Sequence, residues 1–355
     1  MFNRKILELD PYDISDRFGS SITNDRLILD WNESTTIFSK KLDGDLIDIL
    51  KKIPINYYGD VECKVLRKSL KSYLDVSADC ISVFNGSDSA INIVFECIIE
   101  SGNLVLKNEP DYSQVDTFIL MKGGKIVTVS TENIFENNLN KIEKSLNNNQ
   151  IKAFYFSNPN NPTGKILSFD EVESMVSSFP RTWFLVDEAY VEFTNETLVK
   201  LIERYNNIII FRSFSKGFGL AGLRIGYIIS NEKNIFQINK VRNGKEVNSF
   251  SQSVAVKALE YLDDLDKHIF EINRTKNWFS NKLSQINGLK VFDTHTNFIL
   301  ISHKRNSDLI DYLRLKNVFI RDRSNLKGMD NCSRITIGTM DEMNILYSLM
   351  KDYFR

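Results

Sequence analysis

Between about residues 55 and 245 two patterns alternate along the chain. Short stretches such as IKAFYFS, WFLVD and NIIIF are apolar at almost every position. Between them apolar residues return every three or four positions, as in VLRKSLKSYLDV, DSAINIVFECII and SFDEVESMVSSF. The second spacing lays an apolar stripe along a helix. The first suits strands buried on both faces, as in parallel sheets covered by helices. The order predicted is a helix in VLRKSLKSYLDV, a strand in CISVFNGS, a helix from DSAIN to Gly102, and a strand in NLVLKNEP. A helix in DYSQVDTFILMKGG and strands in KIVTVS and IKAFYFSNP follow. Next come a helix in SFDEVESMVSSF, strands in WFLVDEAY and NIIIFRSFS, and a turn into a strand in AGLRIGYIIS. ENNLNKIEKSLNNNQ reads as a charged helix ending in a loop. After residue 246 a long helical stretch, from about 250 to 286, leads into KVFDTHTNFILISH, DLIDYLRLKNV, FIRDRS, SRITIGT and MDEMNILYSLMKDYFR, which predict a smaller α/β unit.

Composition narrows the classes of function. The 355 residues are enough for one large domain and a smaller one. Hydrophobic residues make up 42% and charged residues 26%, with 45 basic against 46 acidic side chains and a formal net charge of −1. That balance favours neither nucleic acid nor an anionic membrane as partner. Lys40, Lys41, Lys51 and Lys52 read as solvated surface. MFNRKILELDPYD lacks the apolar core of a signal peptide, and no apolar run approaches the roughly 20 residues of a membrane helix. Cys63, Cys80, Cys97 and Cys332 are far apart, as expected of reduced, buried thiols in a cytoplasmic protein. His268, His295 and His303 lack metal-ligand spacing, so no metal site is expected.

The unusual loops all follow strands, where open α/β sheets bind ligands. SNPNNPTGK holds two Asn-Pro steps and a glycine, and offers Asn161 as a hydrogen-bond donor. WFLVDEAY ends an apolar strand with Asp187 and Tyr190, and a buried acid is costly unless a cation joins it. FNGSDSAINIV sets Gly86, Ser87 and Asp88 at a helix start, where backbone N–H groups attract an anion. FRSFSKGFGLAGLRIGY surrounds Lys216 with small residues and places Arg224 eight positions on. Singly each has a structural explanation: a tight turn, a strand-end cap, an N-cap. Together they supply an amine for a Schiff base (Lys216), a carboxylate for a protonated pyridine nitrogen (Asp187), donors to a phenolate oxygen (Asn161, Tyr190) and a phosphate cup (Gly86, Ser87, Ser213, Arg224). Pyridoxal 5′-phosphate carries all four complementary features.

NPNNPTG, DEAY and SFSKGFGLAGLRIGY resemble the fold-type-I pyridoxal-phosphate aminotransferases of class I/II, and most of all the histidinol-phosphate aminotransferase family. The likeness extends through LDWNES, YYGDVECKVLRKSLKSYL, NGSDSAI, EPDYSQV, TNFIL and RDRSNLKGMDNCSRITIGT. It implies a large domain, residues 49–246, with a mainly parallel seven-stranded sheet between helices. Residues 247–355 would form a smaller α/β domain, joined by an N-terminal arm, residues 1–48. It implies that Lys216 carries the cofactor, that Asp187 holds the pyridine nitrogen, and that Asn161 and Tyr190 hold the phenolate oxygen. Ser213, Ser215 and Arg224 would bind the phosphate with backbone from Gly86, Ser87 and Asp88. Tyr112 would stack on the ring, Tyr58 would reach the neighbour's phosphate across a homodimer interface, and Arg334 would bind a substrate anion.

Two segments depart from the family pattern. WNESTTIFS keeps Asn32 and Glu33 of N-E-N-P-x-G without its proline and glycine, and YYGD has Gly59 where the family has proline. In the family both segments line the substrate side, so the resemblance makes Asn32 a substrate-binding candidate. Arg321 and Arg323, two apart on a strand, point to one face and could clamp a phosphate beside Arg334. The reading that follows is an aminotransferase moving an amino group between glutamate and a small phosphorylated ketone or amine, such as histidinol phosphate or a three-carbon amino-alcohol phosphate. A decarboxylase of a phosphorylated amino acid would carry the same cofactor residues. A ligand-sensing regulator on this fold needs a DNA-binding segment, for which the first 30 residues are too short and too acidic.

Overall fold

The computed structural model describes residues 26–130, 139–148, 150–194 and 196–355, together with Leu7. Half of the expected N-terminal arm, and the first part of the Asn-rich segment, lie outside the described residues. The strands in chain order are β1 (Leu27–Leu29), β2 (Ile81–Phe84), β3 (Leu104–Glu109), β4 (Lys125–Ser130), β5 (Ile151–Ser157) and β6 (Trp183–Asp187). They continue as β7 (Ile208–Ser213), β8 (Gly226–Ile229), β9 (Lys290–Phe292), β10 (Phe298–Ser302), β11 (Val318–Asp322) and β12 (Cys332–Thr336). Seven of them form one sheet in the order β2-β8-β7-β6-β5-β3-β4. All pairs in it are parallel except those of β8, which runs antiparallel to both β2 and β7. The fold is the α/β class with the mainly parallel sheet that the alternating pattern predicts, and its seven strands match what the family resemblance implies.

Its apolar strands serve two cores. Phe154, Phe156, Phe184, Val186, Ile208 and Ile210 face one layer of helices. Ala153, Tyr155, Leu185, Ile209 and Phe211 face the other. Side chains alternate across a strand, so a strand covered on both faces needs apolar residues at odd and even positions alike. Each fully buried leucine, isoleucine or phenylalanine contributes about 1.5–3 kcal/mol. Helices start where the sequence caps them. Ser168 and Glu171 form a reciprocal capping box at Phe169–Ser178, and Thr339 and Glu342 do so at Met340–Tyr353.

A second sheet runs β1-β11-β12-β10-β9. β1 joins it in parallel with β11, while the remaining pairs are antiparallel. The long helical stretch is two helices, Ser249–Ala258 and Leu262–Leu283. Among the described strands and α-helices, three were not foreseen: β1, the helix Lys40–Lys52 and the helix Glu232–Asn239. In the first helix Leu42, Leu46 and Ile49 recur at helical spacing, but Gly44 between them weakens a reading from propensity. Lys40, Lys41, Lys51 and Lys52 are exposed, as expected of surface charges. The thiols are free, yet only Cys63 and Cys332 are buried; Cys80 is half-buried and Cys97 exposed, which corrects the expectation for those two. No described helix is long and apolar enough to cross a membrane.

Candidate active site

The carboxyl ends of β2, β5, β6 and β7 lead to the chemistry-bearing loops. Lys216 lies just beyond β7 and is a half-buried residue whose amine is enclosed: Nζ donates to the main-chain oxygen of Trp31 at 2.9 Å. Burial lowers its pKa from 10.5 to about 8. Glu33 and Asp88 oppose that shift, while Arg334 and Arg224 add to it. An amine so tuned is partly neutral near physiological pH and can act as nucleophile or base.

Asp187 closes β6 and is 5% exposed. Its Oδ2 accepts from the Tyr155 hydroxyl at 2.9 Å and its Oδ1 from the backbone N–H of Ala189 at 3.0 Å. The second bond is the local turn that a strand-end aspartate makes. Burial pushes the carboxyl up from 3.8 to about 7. No lysine or arginine among the described residues forms an ion pair with it. The protein thus buries an acid and leaves its cation to come from elsewhere.

Residues 30–32 thread between these groups and the second sheet. Arg334, 3% exposed on β12, donates through Nη2 to the Asp30 carbonyl and through Nη1 to Asn161 Oδ1, both at 2.6 Å. With its oxygen taken, the Asn161 amide has its hydrogens left for a ligand. Asn32 donates from Nδ2 to the Tyr190 hydroxyl oxygen at 2.7 Å, which leaves the tyrosine proton to be given away. Asn32 itself is fixed by Thr336 Oγ1, which accepts from its N–H at 3.0 Å, and by Asn297 Nδ2, which donates to its carbonyl at 3.0 Å. The loop carrying Asn161 is closed at Gly164, at φ +71°, where a Cβ would lie 2.3 Å from Thr294 Cβ.

The helix Gly86–Ile98 starts directly after β2. Gly86 has φ +85°, and a Cβ there would meet Arg224 Nη2 at 2.6 Å. Gly226 gives Ser87 the same freedom, since a Cβ on it would lie 2.3 Å from the Ser87 nitrogen. Glycines therefore let the guanidinium and a helix N-terminus approach each other, an arrangement that fits a phosphate. Asp88 accepts from Arg224 Nη2 at 3.2 Å and from the Tyr112 hydroxyl at 2.8 Å. Ser213 and Ser215 are buried, and Ser213 Oγ accepts from the Ser215 N–H at 3.0 Å. This amine, carboxylate, phenolate-oxygen donor pair and cationic cup match the groups of pyridoxal phosphate one by one.

Arg321 sits opposite Arg334 across β11 and β12, so their side chains share a face of the sheet. Arg323 lies just past β11, with its N–H donating to the Cys332 carbonyl at 2.9 Å, and its charge reaches Tyr190. Tyr58 stands apart. It is 77% exposed, with Lys245 Nζ 4.9 Å from its ring centroid, and no hydrogen bond among the described residues links it to Lys216. The glycine of YYGD has a steric reason: a Cβ at Gly59 would lie 2.6 Å from Ser249 Oγ. In WNESTT, Thr35 Oγ1 donates to Glu342 Oε2 at 2.6 Å. The sequence reading missed Tyr155, Asp30, Trp31, Asn297 and Thr336. A lone tyrosine inside IKAFYFS was the one signal available for the first; the backbone carbonyls carry none. Among the described residues no group of three or more His, Cys, Asp or Glu could hold a metal ion.

Comparison with known proteins gives a consistent picture. The family model for aminotransferases of class I and II matches residues 32–349. The chain is 34% identical to a histidinol-phosphate aminotransferase of Ruminiclostridium cellulolyticum, over 90% of this chain and 90% of that protein. It is 32% identical to a dihydroxyacetone phosphate transaminase of Campylobacter jejuni, over 99% and 96%. Its fold matches the histidinol-phosphate aminotransferase of Sinorhizobium meliloti, solved with pyridoxal-5′-phosphate, at a TM-score of 0.84 and 22% identity, covering 92% of this chain and 91% of that one.

Proposed function

From a chain that belongs to the class I and II aminotransferases, we propose an enzyme that uses pyridoxal phosphate to pass an amino group between glutamate and a small phosphorylated ketone or amine. The observation that carries the cofactor is the buried Asp187, which no described lysine or arginine pairs with, at the end of β6 beside the strand β7 that leads to Lys216. Bound pyridoxal phosphate supplies an aldehyde that condenses with amines and a protonated ring that draws electrons from the substrate's α-carbon. Lys216 would hold the cofactor, and its Nζ would be the group that moves a proton to and from that carbon. Asp187 keeps the pyridine nitrogen protonated. Asn161 and Tyr190 donate to the phenolate oxygen, and Ser213, Ser215, Arg224 and the start of the helix Gly86–Ile98 hold the phosphate. Tyr112, whose hydroxyl donates to Asp88, would stack on the ring.

The substrate side rests on Asn32, Arg321, Arg323 and Arg334. Arginines held on one face of a sheet favour an anion between them, and two relatives above 30% identity are named for phosphorylated substrates. Histidinol phosphate and dihydroxyacetone phosphate are the two to try first; the second relative matches nearly the whole chain. Transamination is favoured over decarboxylation because both of those relatives are named as transaminases. A cytoplasmic homodimer completes the reading. Ile55, Tyr57 and Tyr58 are 88%, 71% and 77% exposed, an apolar surface suited to a second copy, across which Tyr58 would reach the neighbour's phosphate. We also propose the division into an arm to residue 48, a cofactor domain to 246 and a smaller domain beyond.

A panel of phosphorylated ketones with glutamate, scored by 2-oxoglutarate formed, tests the reaction. Release of carbon dioxide from a phosphorylated amino acid, with no keto acceptor required, would replace transamination by decarboxylation.

A further inference from the structure

Tyr155 is a polar residue in a wall of apolar ones. Ala153, Phe154, Tyr155 and Phe156 are all fully buried. Phenylalanine would fill the same space, and a hydroxyl taken from water into a core is costly unless it is bonded. The bond it makes is to Asp187. β5 and β6 run parallel with Tyr155 opposite Leu185 and Ser157 opposite Asp187, so tyrosine and aspartate lie diagonally on one face. The hydroxyl donates to Oδ2 at 2.9 Å while the Ala189 N–H donates to Oδ1 at 3.0 Å, and each carboxylate oxygen is thereby held.

We propose that Tyr155 is a positioning residue of the reaction, its hydroxyl keeping the Asp187 carboxylate ionised and aimed so that it can hold a protonated pyridine nitrogen. This rests on the reading that pyridoxal phosphate binds here. The charged and titratable neighbours make the need plain. Asp111, on the loop after β3, and Asp88, on the helix Gly86–Ile98, both push the Asp187 carboxyl upward, as burial does more strongly. Asp111 is itself buried and raised to about 6; it accepts from the Ser157 hydroxyl and N–H and from the Tyr112 N–H. Tyr112 and Asp111 both act on Tyr155, and Tyr190 follows Asp187 in the chain. Against these, the Tyr155 hydroxyl is the largest influence that favours the ionised carboxylate, ahead of the Ala189 N–H. Tyr155 stays protonated throughout, because burial and Asp187 hold its pKa well above the usual value.

The test measures binding of pyridoxine 5′-phosphate to the apoenzyme from about pH 5 to about pH 9. This ligand has the ring nitrogen and phosphate but no aldehyde, so Lys216 forms no link to it. Asp187 must be ionised to hold the ring nitrogen, so affinity falls on the acid side of the profile. Tyr155→Phe is expected to weaken binding about tenfold at neutral pH and to move the acid limb upward by about one pH unit. In an Asp187→Asn background the same change is expected to cost no further affinity. Tyr155 replaced by a ring-fluorinated tyrosine, a stronger donor, is expected to move the limb downward. An unmoved limb in the fluorinated protein overturns the proposal even where the phenylalanine variant misfolds. Equal losses in the two backgrounds overturn it too, assigning the residue to packing. A wild-type protein that takes up no pyridoxal phosphate overturns the functional reading and this inference together; one that takes it up, with Tyr155→Phe titrating like wild type, overturns the inference alone.

Discussion

The amine of Lys216 and the main-chain oxygen of Trp31 are 2.9 Å apart, although 185 residues separate them in the chain. Three successive carbonyls are held in this way: Asp30 by Arg334, Trp31 by Lys216 and Asn32 by Asn297. Residues 30–32 therefore form one wall of the site, and the lysine is pinned to it.

Lys216 reacts as the free amine, and its pKa in the folded protein is lowered to about 8. Covalent uptake of pyridoxal phosphate should therefore speed up as pH rises through about 8 and level off above. Stopped-flow absorbance on the apoenzyme measures this. Borohydride should then fix the cofactor at Lys216, and Lys216→Ala should bind cofactor without turning over. A label on another lysine refutes the assignment.

Asp187→Asn keeps a hydrogen-bonding side chain but cannot hold a positive nitrogen. Turnover is expected to fall by about 100-fold or more. The apoprotein should not lose stability. A carboxyl whose folded pKa is raised to about 7 from 3.8 opposes folding increasingly as pH rises between those values, and the amide removes that penalty. Melting temperature and steady-state rate, measured on the same preparation near pH 8, separate the two effects. Retained activity would leave Asp187 as a strand-end cap.

The sheet was legible because it is built from local regularities. β5, β6 and β7 are apolar at successive positions, and the loops after them announce themselves with Asn-Pro, Asp-Glu-Ala-Tyr and Ser-Lys-Gly. Lys216, Asp187, Asn161, Tyr190 and Arg224 could be picked out for the same reason: each follows a strand that the pattern reveals. What joins them could not. Asn32 is bonded to Thr336 across 304 positions, and Arg334 reaches Asp30 across the same span. No spacing along the chain encodes such a contact. Backbone carbonyls look alike in any sequence, so Trp31 as the lysine's acceptor was invisible. Tyr155 was hidden in another way, since a tyrosine in an apolar strand passes for core until its hydroxyl is traced.

Glu192 lies beneath the lysine loop, where a Cβ on Gly217 would come within 2.8 Å of its Oε2. Both carboxylate oxygens are buried, and no donor from another residue among the described ones reaches them. Burial raises the carboxyl from 4.5 to about 7; Arg212 opposes the shift and Glu188 adds to it. Because the folded value is the higher one, ionisation opposes folding. The penalty is absent below about pH 4.5, grows as pH rises and is complete above about 7. Glu192→Gln should thus match wild type in acid and become more stable by on the order of 2 kcal/mol at pH 8. Urea unfolding of the apoprotein across this range checks it, and a difference that does not change with pH counts against a buried, ionising Glu192.

Arg321 and Arg334 are directly paired across β11 and β12, which sets two guanidinium groups on one face of the sheet. Arg334 donates to Asn161 and to the Asp30 carbonyl, so it is fixed in place. Arg323, one strand position beyond Asp322, adds a third cation on the side toward Tyr190. A phosphate dianion uses more such donors than a carboxylate does. Arg321→Ala and Arg323→Ala are therefore expected to lower kcat/KM for the phosphorylated substrate by about 10- to 100-fold, the loss of one charge-assisted hydrogen bond of about 1.5–3 kcal/mol. The same variants should change kcat/KM for glutamate little. Arg334→Ala should impair both, because it also releases Asn161 and Asp30. Parallel kinetics with the two substrates decide it. Equal losses on both would make the pair a general support of the sheet, and no loss on either would make it surface charge.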